Sequence, residues 1–287
     1  MLNSFDPVWA LAGSVVLWLA MRSELRGPFR LLAAFGFIVP LCLVAPDILA
    51  ATRDALRPVP GPAALRIVTF NVWDKNRHPG RAIDLILKQH ADLVALQEDV
   101  GGFAREETRL AAVYPYHVHC TRMESGGCSL WSKRPFLAAG ELVFAPYGMA
   151  LVWGRVLTPD GKPATVFSVH LAWPFPPHIK QLQMGILARH VARHSPGEAI
   201  ILGDFNQTPW SFALRRLDRA LHPLVRRTHA LFSWPAFIKL LRIHTPFGLL
   251  PIDQVYAAPA FSNVSVERLP ASSSDHFGLV ARFAPRP

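Results

Sequence analysis

Residues 201–210 read ILGDFNQTPW. An apolar pair, Ile201-Leu202, runs into Gly203, and two polar side chains follow, Asp204 and Asn206, on either side of Phe205. If the apolar run ends a buried strand, Asp204 and Asn206 stand at its rim. Residues two apart on an extended chain point the same way. A carboxylate and a carboxamide so placed would reach one small object, such as a metal-held water and a phosphate oxygen. Gly-Asp-x-Asn is also ordinary turn chemistry, so the stretch alone leaves both readings open.

Working outward, the same pattern recurs. LRIVTFNVW (65–73) reads as a buried strand with Asn71 near its end, and ADLVALQED (91–99) as a second one ending in Gln97-Glu98. PATVFSVHLAW (163–173) carries His170 near its end, and PIDQVYAAP opens on Asp253. SSSDHFGLVARFA places Asp275-His276 before a last strand, and VSVERL is another short strand. YPYHVHC and GGCSLWSKRP look like two strands joined by a short Gly-containing turn. Helical spacing of apolar residues marks 80–90 and 178–194. Chance rarely puts a polar group at the rim of most core strands, so Asp204 and Asn206 read as one part of a rim-mounted site shared by several strands.

The chain has 287 residues, of which 51% are hydrophobic and only 17% charged. That is room for one sizeable domain with an appendage. The charge deficit lies at the front. VWALAGSVVLWLAM (8–21) is uncharged, and LLAAFGFIVPLCLVAPDIL (31–49) holds only Asp47. Flanking residues extend each toward the roughly 20 needed to span a bilayer. The expectation is a transmembrane hairpin over residues 1–50 (helices about 8–21 and 31–49), followed by a Pro-rich linker over 51–64. A signal-like first segment and a monotopic hairpin are the competing readings. The short loop between the helices carries Arg22, Arg26 and Arg30 against Glu24. Positive charge in a short loop marks the cytoplasmic side, which puts residues 51–287 outside, on the periplasmic face of an inner membrane. The net charge of +10 favours anionic partners. Three cysteines are too few for a disulfide scaffold, although Cys120 and Cys128 could pair across the Gly126-Gly127 turn in an oxidising compartment.

TFNVW, LQE, GGCSLWSKRP, SVHL, GDFNQTPW, PIDQVY and SSDHFGLV occur in this order between residues 65 and 284. Together they resemble the endonuclease/exonuclease/phosphatase superfamily, in its deoxyribonuclease- and sphingomyelinase-like branches. The N-terminal hairpin and the TPW after GDFN resemble bacterial membrane-anchored members. The resemblance implies a four-layer α/β/β/α sandwich and a catalytic domain over 65–287. It implies a Mg²⁺ site with Glu98 as principal ligand, assisted by Asn71 and Asp275, with Mn²⁺ as a possible substitute. It also implies His276 as general base or electrostatic partner, held by Asp253, with Asp204 orienting the attacking water. Asn206 and His170 would contact phosphoryl oxygens. Mg²⁺ prefers such hard oxygen ligands, and His suits proton work near neutral pH.

Each residue also has a plainer reading. Asn71 could cap a turn, His170 could be a satisfied rim histidine, and Asp253 could be a turn residue. His117 and His119 share a strand face and could hold a transition metal, which the resemblance does not require. Ser132-Lys133-Arg134 could approach a phosphate or end a solvated strand. Residues 205–252 depart from the family pattern. They hold Arg226 and Arg227 among other basic residues, interleaved with aromatics that include Trp234 and Phe237. Such a segment could stack bases with cationic support, insert at a headgroup interface, or only cover the core. The sequence therefore points to a membrane-anchored phosphodiesterase acting on nucleic acid. A phospholipid or headgroup phosphodiesterase is the alternative, and a non-catalytic binding module that keeps the fold is the competitor of another class. No protein partner is implied.

Overall fold

The computed structural model describes residues 2–23, 27–61, 64–120, 127–144, 149–194, 196–238 and 243–285. It begins with helices α1 (Asp6–Arg22) and α2 (Gly27–Ala55). Next come β1 (Leu65–Asn71), α3 (Pro79–Leu87), β2 (Leu93–Gln97), α4 (Glu107–Ala111), β3 (Tyr116–Cys120) and β4 (Cys128–Ser132). The middle of the chain forms β5 (Ala138–Phe144), β6 (Met149–Leu157), β7 (Pro163–His170), α5 (Pro177–Arg193), β8 (Ala199–Asp204) and α6 (Phe212–Ala220). Three two-residue strands follow, β9 (Val225–Arg226), β10 (Phe237–Ile238) and β11 (Ile243–His244). The last are β12 (Asp253–Ala257), β13 (Phe261–Arg268) and β14 (Leu279–Pro285).

Two six-stranded sheets result, ordered β13-β14-β1-β2-β4-β3 and β5-β6-β7-β8-β12-β9. Alternate residues of one strand serve two cores, as the two-residue side-chain period requires. On β1, Ile67 faces the core between the sheets, and Val68 and Phe70 face Ile83 and Ile86 of α3 and Leu110 of α4. On the other sheet, Leu187 of α5 and Leu214 and Leu217 of α6 cover the outer face. The α/β/β/α sandwich is thus the observed fold. Burial on both faces explains why β1, β2 and β8 read as nearly unbroken apolar runs. Strands β5 and β6 lie in a stretch that the sequence pattern leaves unassigned. Their glycines break the pattern to admit rings: a Cβ on Gly154 would sit 2.4 Å from the Phe136 ring, and one on Gly140 2.9 Å from the Trp153 indole.

Helices α1 and α2 are long and apolar enough to cross a membrane, and only 17% of each apolar window is buried. Most of each helix surface is therefore left uncovered. They cross closely at Gly13, where a Cβ would lie 2.6 Å from the Gly36 carbonyl oxygen. Pro40 has no N–H to offer that carbonyl. Helix α2 continues through Ala55, five residues into the expected linker, because neither proline nor glycine occurs between Pro46 and Pro58. The far end of the hairpin docks on the sandwich. Trp210 Nε1 donates to the Ser4 carbonyl at 2.9 Å, and Asp47 of α2 meets Arg226 at 3.0 Å and His229 at 3.2 Å.

Candidate active site

Three strands of one sheet face three of the other, and each facing pair makes a polar contact across the sandwich. Asn71, ending β1, donates to Asp204, ending β8, at 3.1 Å. Gln97, ending β2, donates to Ser168 of β7 at 3.1 Å. His276, just ahead of β14, meets Asp253, opening β12, at 2.9 Å. Strands β12 and β14 run antiparallel to β8 and β1, so these starts and ends share one edge of the sandwich. The expected rim is therefore one contiguous site.

Glu98 follows β2 with φ +56°, and Asn206 follows β8 with φ +48°. Both conformations are costly for non-glycine residues and are kept where the surroundings over-determine them. Glu98 Oε1 accepts from Asn71 at 2.9 Å and its Oε2 from the Asp74 backbone N–H at 3.1 Å. Asn71 Oδ1 accepts the Trp73 N–H at 3.0 Å. That bond fixes the amide with its nitrogen toward both carboxylates. Asn71 therefore braces Glu98 and Asp204 through its nitrogen, while its oxygen accepts the Trp73 N–H.

Ligand atoms of Glu98, His170 and Asp204 lie within 4.8 Å of one another. His170 Nε2 is 3.7 Å from Glu98 and 3.8 Å from Asp204. The two carboxylates lie close together, with the Asn71 amide bridging them and the His276 ring beside Asp204. Their hard oxygens fit a divalent ion such as Mg²⁺. Asp275 stands outside this trio. Its backbone carbonyl accepts the Ala236 N–H at 2.7 Å.

His276 Nε2 is 3.7 Å from Asp204 Oδ2. Burial opposes charge on this ring, but the Asp253 and Asp204 carboxylates outweigh it and hold its pKa up to about 10. Asn206 closes the other side. Its backbone N–H donates to Asp204 Oδ1 at 2.7 Å and its amide to the Leu171 carbonyl at 3.0 Å.

Several supporting residues escape a sequence reading. Ser274 Oγ donates to the Asn71 carbonyl at 2.7 Å and accepts the His276 N–H at 3.0 Å, tying β1 to the histidine turn. Beneath the floor, the buried Lys180 ammonium donates to the carbonyls of Ala172 and Phe205. Burial lowers the Lys180 pKa to about 7, with the Asp204 charge opposing. Trp173 stacks edge-to-face on Trp234 at 6.2 Å, and both rings line a cavity of about 100 Å³ that reaches Asn206. Of these, Trp234 is one of the aromatics that mark the basic segment in the sequence, and Trp173, three residues after His170, also stands out there.

Other expectations are corrected. Arg226 pairs with Tyr256 of β12, three residues from Asp253, or about 10 Å along the strand from the rim. Its guanidinium is spent on Asp47, Asp218 and the Thr228 carbonyl. Arg227 donates to the Phe261 carbonyl at 3.4 Å and borders Asp54 and Arg57 near the end of α2. Neither faces the site. Trp234 does, and Phe237 lies one residue beyond the Ala236–Asp275 bond. Ser132, Lys133 and Arg134 follow β4 at the end away from the rim, where Lys133 reaches the His90 carbonyl and Arg134 that of Thr158. His117 and His119 pack on Trp131 and are not part of the metal-competent trio. Cys120 and Cys128 face each other in register, yet no disulfide joins them. The Gly126 side of their turn, like Arg26, Lys239 and Arg242, lies outside the described residues.

A profile of the Endonuclease/Exonuclease/phosphatase family matches residues 68–276. Nothing matches among curated proteins. Solved structures share the fold. D. rerio TDP2 complexed with a single-strand DNA product is 14% identical, covers 77% of this chain and 99% of its own, and has a TM-score of 0.61. The endonuclease/exonuclease/phosphatase from Beutenbergia cavernae is 21% identical, covers 77% and 72%, and has a TM-score of 0.58. The human Nocturnin catalytic domain with bound sulfate is 16% identical, covers 81% and 99%, and has a TM-score of 0.58.

Proposed function

We propose that this chain, which belongs to the Endonuclease/Exonuclease/phosphatase family over residues 68–276, is a divalent-metal-dependent phosphodiesterase seated against a membrane. One observation carries the reading: a continuous line of polar groups runs from Asp253 through His276 and Asp204 to Asn71 and Glu98. Phosphodiester hydrolysis asks for a counter-charge, an oriented water and a proton donor, and this line offers a residue for each.

Glu98 and Asp204 would hold the ion, with His170 beside them. When bound, Mg²⁺ supplies positive charge against the phosphoryl oxygens. Asp204 accepts a hydrogen from the attacking water and orients it. His276 is charged at neutral pH in the metal-free protein. In that form its Nε2–H stabilises developing negative charge, so the electrostatic role is favoured over that of general base. Asp253 fixes the ring through Nδ1. His170 reaches the non-bridging oxygens; Asn206, expected to do the same, has its amide N–H groups taken by the Leu171 carbonyl and Asp204 and instead holds that carboxylate in place.

The helices α1 and α2 form the anchor. Arg22 and Arg30, which flank the connection between the helices, favour a cytoplasmic connection and a sandwich outside, in the periplasm of an inner membrane. At 29 residues, α2 is about 43 Å long. That exceeds a hydrocarbon core of about 30 Å and leaves its last turns to meet the sandwich. Nucleic acid is the substrate favoured by the net charge of +10 and by the DNA product held by the zebrafish TDP2 structure. A lipid headgroup diester is favoured by the aromatic wall of Trp173 and Trp234. The test is full-length protein in lipid nanodiscs given methyl p-nitrophenyl phosphate, plasmid DNA, RNA and a lipid panel, with Mg²⁺ and with EDTA. Mg²⁺-dependent cleavage lost in Glu98→Gln is expected, and metal-independent turnover would overturn the reading.

A further inference from the structure

An apolar groove of about 850 Å³ lies between the start of α1 and residues 230–234 and 247–250. Phe5, Val8 and Leu11 form one wall; Phe232, Phe247 and Leu249 form the other. Arg268 is the one charged residue along it, and its guanidinium is committed to the Phe232 carbonyl at 2.8 Å and to the Phe277 ring at 4.3 Å. Nothing here suits a peptide backbone or a polyanion.

Two features say what would fill it. The first is continuity with the chemistry: Phe5, Trp234 and Leu250 line both this groove and the smaller cavity that reaches Asn206. A molecule in the groove that extends through this cavity has its end beside Asn206, whose backbone N–H bonds Asp204. The second is the origin of the α1 wall. Val8 and Leu11 are 54% and 68% exposed and belong to the helix read above as lying in the bilayer. If α1 lies in the bilayer as proposed above, the groove opens toward the hydrocarbon on its α1 side and toward the candidate active site on the other. We propose that it takes the alkyl chain of a membrane-resident phosphoester, whose phosphate then reaches the rim. This rests on the phosphodiesterase reading and names its substrate class as an amphiphile drawn from the membrane.

Each methylene moved from water into an apolar groove is worth about 0.8 kcal/mol, or up to about fourfold in affinity. The probes are radiolabelled n-alkyl phosphates from ethyl to hexyl. Their binding to full-length protein in nanodiscs is measured by equilibrium dialysis, with empty nanodiscs subtracted. Affinity is expected to climb with each methylene, and the climb to flatten in Leu249→Glu and in Phe247→Glu, both exposed positions. Affinity blind to chain length, or a climb that persists in both variants, would overturn the proposal. So would self-association of the protein through this face that excludes hexyl phosphate. The binding needs no turnover. A chain-length climb in a protein that fails to cleave methyl p-nitrophenyl phosphate would support the groove and sink only the reading of catalysis.

Discussion

His276 and Asp253 belong to different sheets, yet their side chains meet at 2.9 Å with both groups buried. The pair holds the imidazolium charged and aims Nε2 at Asp204. Asp253→Asn keeps the shape but removes the charge. The rate of diester hydrolysis at pH 7 should fall by about 10²–10⁴, the range for loss of a positioned acid–base group. Steady-state kinetics on a small diester would measure it, and a loss under threefold would detach Asp253 from the chemistry.

Glu98→Gln should lower kcat comparably and raise the Mg²⁺ concentration needed for half-maximal activity. Calorimetric titration of Mn²⁺ reads the same loss without turnover. Unchanged metal affinity would move the site away from Glu98.

Two buried groups give opposite pH dependence to the metal-free protein. The folded pKa of His276, about 10, is above its ordinary value near 6.5. Its stabilising contribution is full below that value and is lost as pH rises through 10. The folded pKa of Lys180, about 7, is below the ordinary value near 10.4. Its buried charge is therefore a penalty that fades as pH rises from 7 toward 10. Lys180→Met should make stability fall more steeply across this window, and His276→Asn should make it rise. Thermal unfolding in EDTA at pH 7 and 9.5 separates them, and parallel slopes in both variants would contradict the assignment.

Arg226 bonds Asp47 of α2 and Asp218 of α6 at once. Arg226→Met leaves Asp47 buried with a lost cation and should cost about 3–5 kcal/mol, as other broken buried pairs do. DNA binding, if any, should keep its salt dependence, since this guanidinium is not free for phosphate. Denaturation midpoints and salt-dependent binding test the two halves, and a flattened salt slope would return Arg226 to the substrate.

The rim was legible because it is local. Asn71, Glu98, His170 and Asp204 each end an apolar run, and an apolar run that stops at a polar residue is visible without knowing its neighbours. The fate of the basic segment was not. Whether Arg226 faces a substrate depends on β9 pairing with the far end of β12, a register set by residues thirty positions away. Lys180 sits in the helical stretch HIKQLQMGIL, where a lysine normally reads as solvated. It is buried only because carbonyls at 172 and 205 converge on it. Asp275 adjoins His276 in sequence, but neighbours on an irregular turn need not share a target.

Strand β14 lies between β13 and β1, inside its sheet, and His276 stands just before it. A ribosome delivers these residues after every other described strand. Until they arrive, β1 has no partner on that side, Asp253 has no imidazole to hold, and Asn71 lacks the Ser274 clasp. A nascent chain that already carries Glu98 and Asp204 would thus still lack the assembled rim. If the sandwich is threaded across a membrane as it is made, its hydrolytic power would first appear on the far side, when the final strand slots home. Chains halted before Leu279 would carry Glu98 and Asp204 and should show none of the proposed activity.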